Sequence, residues 1–250
     1  MNEKNTEPEE ELVDFNAHAA GYSAAWGIPA VRAAGGRYDA FVRVKVGWLL
    51  KDLSRRPVRT SPPGDAENLL DFGCGTGEFL QILRNEGYEG TLEGCDVSEA
   101  MLEEAKKRWT QGSIPIFHTV DRNGEGLPPN TYDVVSACCV FHHIPKSARS
   151  AVLAVLVRML KPGGRLVVFE HNPSNPATRW IVKRTPVDRN VTLLPAAEIE
   201  DGMASCGLTD IRRRNMLFFP PWFSSLDTVD RLLDRFPLGA QYVLAGEKPS

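Results

Sequence analysis

The stretch Asn68-Leu69-Leu70-Asp71-Phe72-Gly73-Cys74-Gly75-Thr76-Gly77-Glu78-Phe79-Leu80 constrains the fold more than any other part of the chain. A short apolar run ends on an acid and a phenylalanine, glycines alternate at 73, 75 and 77, and an amphipathic segment follows at once. This order predicts strand, tight turn and helix. Glycine accepts positive φ and has no Cβ, so a ligand can lie directly on the backbone of such a turn. The first N–H groups of the helix beyond it have no intrahelical partner and point toward that ligand. A dinucleotide fingerprint, G-x-G-x-x-G, sets its third glycine one position later, where this chain has Glu78. A carboxylate there repels a pyrophosphate, which disfavours a nicotinamide oxidoreductase.

A regular alternation continues from the turn. Strand 91–95 ends at Asp96, and Ser98 is placed to cap a helix over 99–109 supported by Glu103 and Lys107. Strand 114–120 ends near Asp121, and strand 132–139 is nearly all apolar, as burial on both faces requires. Helix 147–160 stops at Lys161-Pro162-Gly163-Gly164, and strand 165–169 ends at Glu170-His171. Strands alternating with helices imply an α/β fold, a parallel sheet covered on both faces. Ligands of such sheets sit beyond the carboxyl ends of the strands, where these acids and histidines fall. Past His171 come a turn-rich stretch to Trp180, a helix Pro195–Cys206, a strand 208–217, a helix 225–235 and a final strand 241–247.

At 250 residues the chain fits one domain with decorations. A net charge of −3 gives no electrostatic footprint for nucleic acid. The five cysteines include no CxxC pair, so free thiols in a reducing compartment are expected, and no metal site. The N-terminus is acidic and lacks an apolar leader core, and no run approaches the ~18 apolar residues of a membrane span. The expectation is a cytoplasmic protein without nucleic-acid or membrane partners; oligomeric state is not legible.

The spacing Asp-x-Gly-x-Gly-x-Gly at 71–77 resembles motif I of the class I S-adenosylmethionine-dependent methyltransferases. Four further stretches carry the resemblance in order: Asp96, Asp121 through Pro128, Tyr132 through Pro145, and Leu160 through Pro173. The fourth, with Phe141-His142-His143-Ile144-Pro145, is most similar to the small-molecule branch that includes ubiquinone and menaquinone biosynthesis enzymes. The resemblance covers roughly residues 65 to 170 well and the flanks loosely. It implies a Rossmann-like, doubly wound, mostly parallel seven-stranded sheet with a C-terminal antiparallel hairpin and an N-terminal helical lid. Residues 1–64 are then an acidic tail, lid and linker, and 65–250 the methyltransferase domain with a substrate-side insertion at about 171–195. Tyr22, Trp26 and Tyr38 are the lid candidates; a helix packed on the sheet is the plainer reading of that segment.

S-adenosylmethionine is the cofactor the resemblance implies, with S-adenosylhomocysteine as product. Asp71, Gly73 and Gly75, with Cys74 and Gly77 in the same turn, are expected around its methionine part. Asp96 with Val97 meets the ribose, and Met101 walls the adenine or belongs to the core. Asp121 meets the adenine amino group, but about two residues look inserted before Leu127-Pro128, so Asn123 and Glu125 are alternatives. Cys138 and Cys139 end the fourth strand beneath the methionine part, where their backbone can meet its amino group. The acceptor is a small molecule, methylated at oxygen with histidine-assisted deprotonation by His143, His171 or His142. Methylation at nitrogen or carbon, or a non-catalytic S-adenosylmethionine-binding partner protein, are the alternatives. Arg179, Lys183, Arg184 and Arg189, and Phe218, Phe219, Trp222 and Phe223, either line the acceptor pocket or form a solvated face and an apolar plug. The absence of Asn-Pro-Pro-Tyr/Phe after the fourth strand argues against methylation of nucleic-acid base amines.

Overall fold

The computed structural model describes residues 14–16, 38–55, 67–188, 191–221, 229 and 232–250. The tail 1–11, Tyr22, Trp26, Arg189, Trp222, Phe223, the linker from residue 56 and most of the expected helix 225–235 lie outside them. The strands are β1 (Asn68–Phe72), β2 (Thr91–Asp96), β3 (Ile116–Thr119), β4 (Tyr132–Cys138), β5 (Leu160–His171), β6 (Thr209–Met216) and β7 (Gln241–Glu247). They form one sheet in the order β3-β2-β1-β4-β5-β7-β6. The first five are parallel; β7 enters between β5 and β6 and runs antiparallel to both. The register sets Asp71 between Gly94 and Ser136, so the carboxyl ends of β1, β2, β4 and β5 meet along one edge.

Side-chain alternation assigns each strand residue to a face. Leu69, Val134, Val167 and Val243 join one apolar cluster, while Leu70, Val135, Leu166 and Leu244 join the other. The first cluster is covered by α1 (Tyr38–Ser54), through Val42, Val46 and Leu49, and by α2 (Glu78–Asn85), through Leu80 and Leu83. The second is covered by α4 (Lys146–Met159), through Val152 and Leu156, and by α6 (Ala196–Ser205), through Ile199 and Met203. Between them in sequence lie α3 (Glu99–Arg108) and the short α5 (Pro176–Val182). Helix α1 therefore packs on the sheet. Its buried Asp52 pairs with Arg165 of β5, which also reaches Glu247 at 3.2 Å. No helix among the described residues is long and apolar enough to cross a membrane.

Two local expectations are corrected. Leu160 already pairs with Tyr132, after which residues 161–164 loop out and Arg165 resumes opposite Val134, so Lys-Pro-Gly-Gly lies inside β5. Gly163 takes φ +70°, and its N–H donates to the Lys248 carbonyl at 2.7 Å, fastening the loop to the chain beyond β7. On α3 the ion pairs join Glu103 to Lys106 at 2.8 Å and Glu104 to Lys107 at 2.9 Å, one position tighter than the expected pair. Ser98 caps that helix as expected, its Oγ accepting from the Met101 N–H at 3.2 Å.

Candidate active site

Gly73, Gly75 and Gly77 adopt φ of +69°, +51° and +73°, which a side chain rarely tolerates. A Cβ on Gly73 would stand 2.6 Å from a Val140 methyl, so that turn closes only on bare backbone. The Gly75 N–H donates to Asp96 Oδ2 and the Ser98 N–H to Oδ1, both at 2.9 Å. Burial raises the Asp96 carboxyl, and these backbone donors oppose the rise. A cavity of about 300 Å³ opens on the turn. Its wall brings Gly73, Gly75, Asp96, Val97, Met101 and Cys138 together with His143, Phe15, Arg122 and Asn123.

Other named residues stand outside that wall. A Cβ on Gly77 would lie 3.1 Å from that of Ala105, so Gly77 lets α2 and α3 approach. Cys74 tucks its sulfur under Gly94, whose own Cβ would lie 2.8 Å from it. Asp71 is buried in β1 and accepts from Ser136 Oγ at 2.8 Å. Burial pushes its carboxyl up to about 7, against the pull of that bond and of Lys45. Asp121 closes its own loop, its Oδ1 accepting from the N–H groups of Asn123 at 3.0 Å and Glu125 at 2.9 Å. Asn123, the alternative to Asp121, is in the wall. Tyr38 is not. Arg179, Lys183 and Arg184 are exposed, with the Arg184 guanidinium 4.1 Å above the Trp180 ring, and Phe219 lines a separate groove between α1 and β6.

The two adjacent histidines occupy the 3-10 turn Phe141–His143 just past β4. His142 is buried and sets Nδ1 2.6 Å from Glu170 Oε2 at the end of β5. Glu170 also accepts the Phe141 N–H at 2.7 Å, which fixes the turn. Asp188, from the 3-10 turn Pro186–Asp188, places Oδ1 3.5 Å from His142 Nε2 and 3.2 Å from His143 Nε2. Burial opposes a charge on His142, but the two flanking carboxylates overcome it and raise the ring well above its usual value. His143 moves the other way, lowered by burial and then by the neighbouring His142 charge, against Asp188. Burial alone would raise Glu170 and Asp188; the histidines hold Glu170 down at about 2 and Asp188 lower still. Only His143 borders the cavity, yet both reach the same carboxylate oxygen, and His143 Nδ1 is buried without a partner among the described residues.

His171 leads to a second group. Its Nδ1 lies 3.4 Å from Gln241 Nε2, which is 3.6 Å from Cys139 Sγ; buried Lys45 of α1 stands 3.3 Å from the same sulfur. Burial would raise the Cys139 thiol, but Lys45 and His171 lower it to about 7. Cys139 takes φ +59°, an uncommon conformation for a side-chain-bearing residue, and lines the cavity.

Phe15 and Asp188 escaped the sequence reading. Phe15 meets His143 edge-on with ring centroids 5.1 Å apart, while Asn16 Oδ1 accepts from Ser98 Oγ at 2.8 Å. The segment thus crosses from α3 to the histidine turn. Asp14-Phe15-Asn16 carries no spacing signal for that contact, and Asp188 lies where periodicity lapses.

Residues 70–166 match the family model described as a methyltransferase domain. Over these residues the chain is similar to a methyltransferase domain. This domain family is S-adenosylmethionine-dependent. Over 143 residues the chain is 33% identical to the ubiquinone/menaquinone biosynthesis C-methyltransferase of Desulfotalea psychrophila, covering 56% of each. The chain thus spans about half the length of the curated relatives it matches. Among solved structures it resembles a possible histamine N-methyltransferase of Thermotoga maritima, with TM-score 0.65 at 16% identity over 94% of this chain and 98% of that one. It also resembles phosphoethanolamine N-methyltransferase 2 of Haemonchus contortus in complex with S-adenosylmethionine, with TM-score 0.62 at 19% identity over 96% and 61%. At such identities the fold is what is shared.

Proposed function

We propose that the protein transfers a methyl group from S-adenosylmethionine to an ionisable oxygen of a small molecule. One observation carries the reading: a single cavity joins the glycine turn and Asp96 to His143. Gly73 and Gly75 leave room for the methionine part, and Asp96 keeps acceptor capacity for ribose hydroxyls beyond its two backbone bonds. Met101 and Val97 offer apolar walls to the adenine, with Asn123 as its polar contact. When bound, S-adenosylmethionine supplies an already activated methyl group. The chain then has to align the acceptor and take up its proton.

His143 is placed for the second task. Nε2 lies 3.2 Å from Asp188 and Nδ1 has no partner among the described residues, so we assign the neutral ring's proton to Nε2 and the acceptor role to Nδ1. Burial favours the neutral ring, the form that accepts a proton. Phe15 packs on the ring and limits water there. His142 and His171 lie behind the wall, so His142 acts on His143 through Asp188 as a positioning residue. The name of the Desulfotalea relative favours a second reading, methylation at carbon, which this site would serve where the carbon stands beside a hydroxyl of the acceptor. Deprotonation of that hydroxyl would enrich the carbon, so the same histidine serves.

Incubation with methyl-labelled S-adenosylmethionine and fractionated metabolites of the source cells tests the proposal. Label should enter a small molecule, and nuclear magnetic resonance of the product separates an oxygen-bound methyl from a carbon-bound one. His143→Ala should lower kcat by ~10²-fold or more at saturating acceptor. Label confined to RNA or protein, or an unchanged kcat, contradicts the corresponding part.

A further inference from the structure

The histidine cluster has a geometry that hydrogen bonding alone does not explain. His142 Nε2 stands 3.5 Å from Asp188 Oδ1, beyond the range of a good N–H···O bond, although both side chains are buried or nearly so. His143 Nε2 lies 3.2 Å from the same oxygen, and the three donor atoms fall within 4.8 Å of one another. Two ligands each ~2.0–2.1 Å from a tetrahedral ion stand about 3.3 Å apart. The observed spacings bracket that edge. Two imidazole nitrogens and one carboxylate oxygen form a donor set suited to first-row divalent metals.

The surroundings fit as well. A metal-bound histidine usually gives its other ring N–H to a carboxylate, which fixes its tautomer and direction. Glu170 Oε2 does this for His142 Nδ1 at 2.6 Å, and Glu170 is itself held by the N–H groups of Phe141 at 2.7 Å and His171 at 3.2 Å. Three protein ligands leave a coordination position open, and one of the three, His143, borders the cavity.

We propose that His142 Nε2, His143 Nε2 and Asp188 Oδ1 bind one first-row divalent metal ion, oriented by Glu170. The ion takes the ring lone pairs at Nε2: the charged His142 ring releases its Nε2 proton to solvent and keeps Nδ1–H on Glu170, while the neutral His143 ring moves its proton from Nε2 to Nδ1. Proton and metal are therefore alternative occupants of these atoms, and with metal bound His143 would no longer serve as the base; the ion would favour the deprotonated form of a bound oxygen, whose proton leaves to solvent. The site stands apart from the methyl-transfer reading, because metal retention is read without turnover.

The test uses the full chain, stripped with a chelator and then titrated by calorimetry with zinc and, separately, by visible absorption with cobalt(II). The expected result is one ion per chain and a tetrahedral cobalt spectrum of nitrogen and oxygen ligands. Asp188→Asn and His143→Ala should weaken zinc at least ~100-fold, and Glu170→Gln ~10–100-fold as an outer-shell change. Absence of stoichiometric binding by the wild-type chain overturns the proposal. So does unchanged affinity in Asp188→Asn, or a sulfur-to-cobalt charge-transfer band, which would assign the ion to Cys139. If a variant fails to fold, the wild-type cobalt spectrum decides.

Discussion

At the scale of single residues, burial and neighbouring charge separate groups of the same type. Cys138 and Cys139 are adjacent, yet burial raises the first thiol well above its usual value, whereas Lys45 and His171 overcome burial and bring the second to about 7. Alkylation by iodoacetamide should therefore select Cys139 and rise with a midpoint near that value, because the thiolate is the reacting form. Lys45→Ala should move the midpoint upward; equal labelling of both cysteines contradicts this account. Asp71 gives a second prediction. Its folded carboxyl stands at about 7 against 3.8 for the free group, so the native state holds the extra proton between those values. Stability from this group is present below the lower value and is lost as pH rises toward the upper, by up to about 4 kcal/mol. Asp71→Asn should thus stabilise more at about pH 8 than at about pH 5 in urea titrations. A greater gain at the acid end contradicts the sign. None of this was legible in the sequence, since the sulfur of Cys139 is tuned by residues on α1, β5 and β7.

At the scale of elements, the sequence was read closely where periodicity or turn chemistry is strong. β1, with its apolar run, matches the expected residues, as does β7, and Gly207 ends α6 as a glycine with φ +85°. The glycine turn was also legible, but not the division of labour within it. Gly73 and Gly75 border the cavity, whereas Gly77 permits helix packing. Gly77→Ala should cost ~1–2 kcal/mol for the left-handed backbone alone, and more for the 3.1 Å contact with Ala105. Urea titration reads this directly, and a neutral result would contradict the packing role. The Asp121 loop shows a different limit. An aspartate two residues before an asparagine–glycine pair bonds readily to its own backbone, and Asp121 Oδ1 does so here while the cavity wall is formed by Asn123. The Glu170–His142–Asp188–His143 chain could not be seen in advance because three separate segments supply it, one of them outside any periodic pattern.

At the scale of the whole molecule, the sheet order places every strand end that matters on one edge, and α1 is tied to that sheet by the Asp52–Arg165 pair. A ligand that bridges the glycine turn and Asp96 binds the native state only, so it stabilises the whole 250-residue chain. S-adenosylhomocysteine at about 100 times its Kd should add ~2.7 kcal/mol and raise Tm by ~5–10 °C, while NAD should leave Tm unchanged. A shift with NAD and none with S-adenosylhomocysteine would revive the dinucleotide reading. The most direct test of the cofactor site is calorimetric titration of S-adenosylhomocysteine into the wild-type chain, Asp96→Ala and His143→Ala. The account predicts one site on the wild type, at least ~tenfold weaker binding to Asp96→Ala, equivalent to ~1.4 kcal/mol, and little change for His143→Ala. Absence of wild-type binding, or equal affinity in Asp96→Ala, would contradict it.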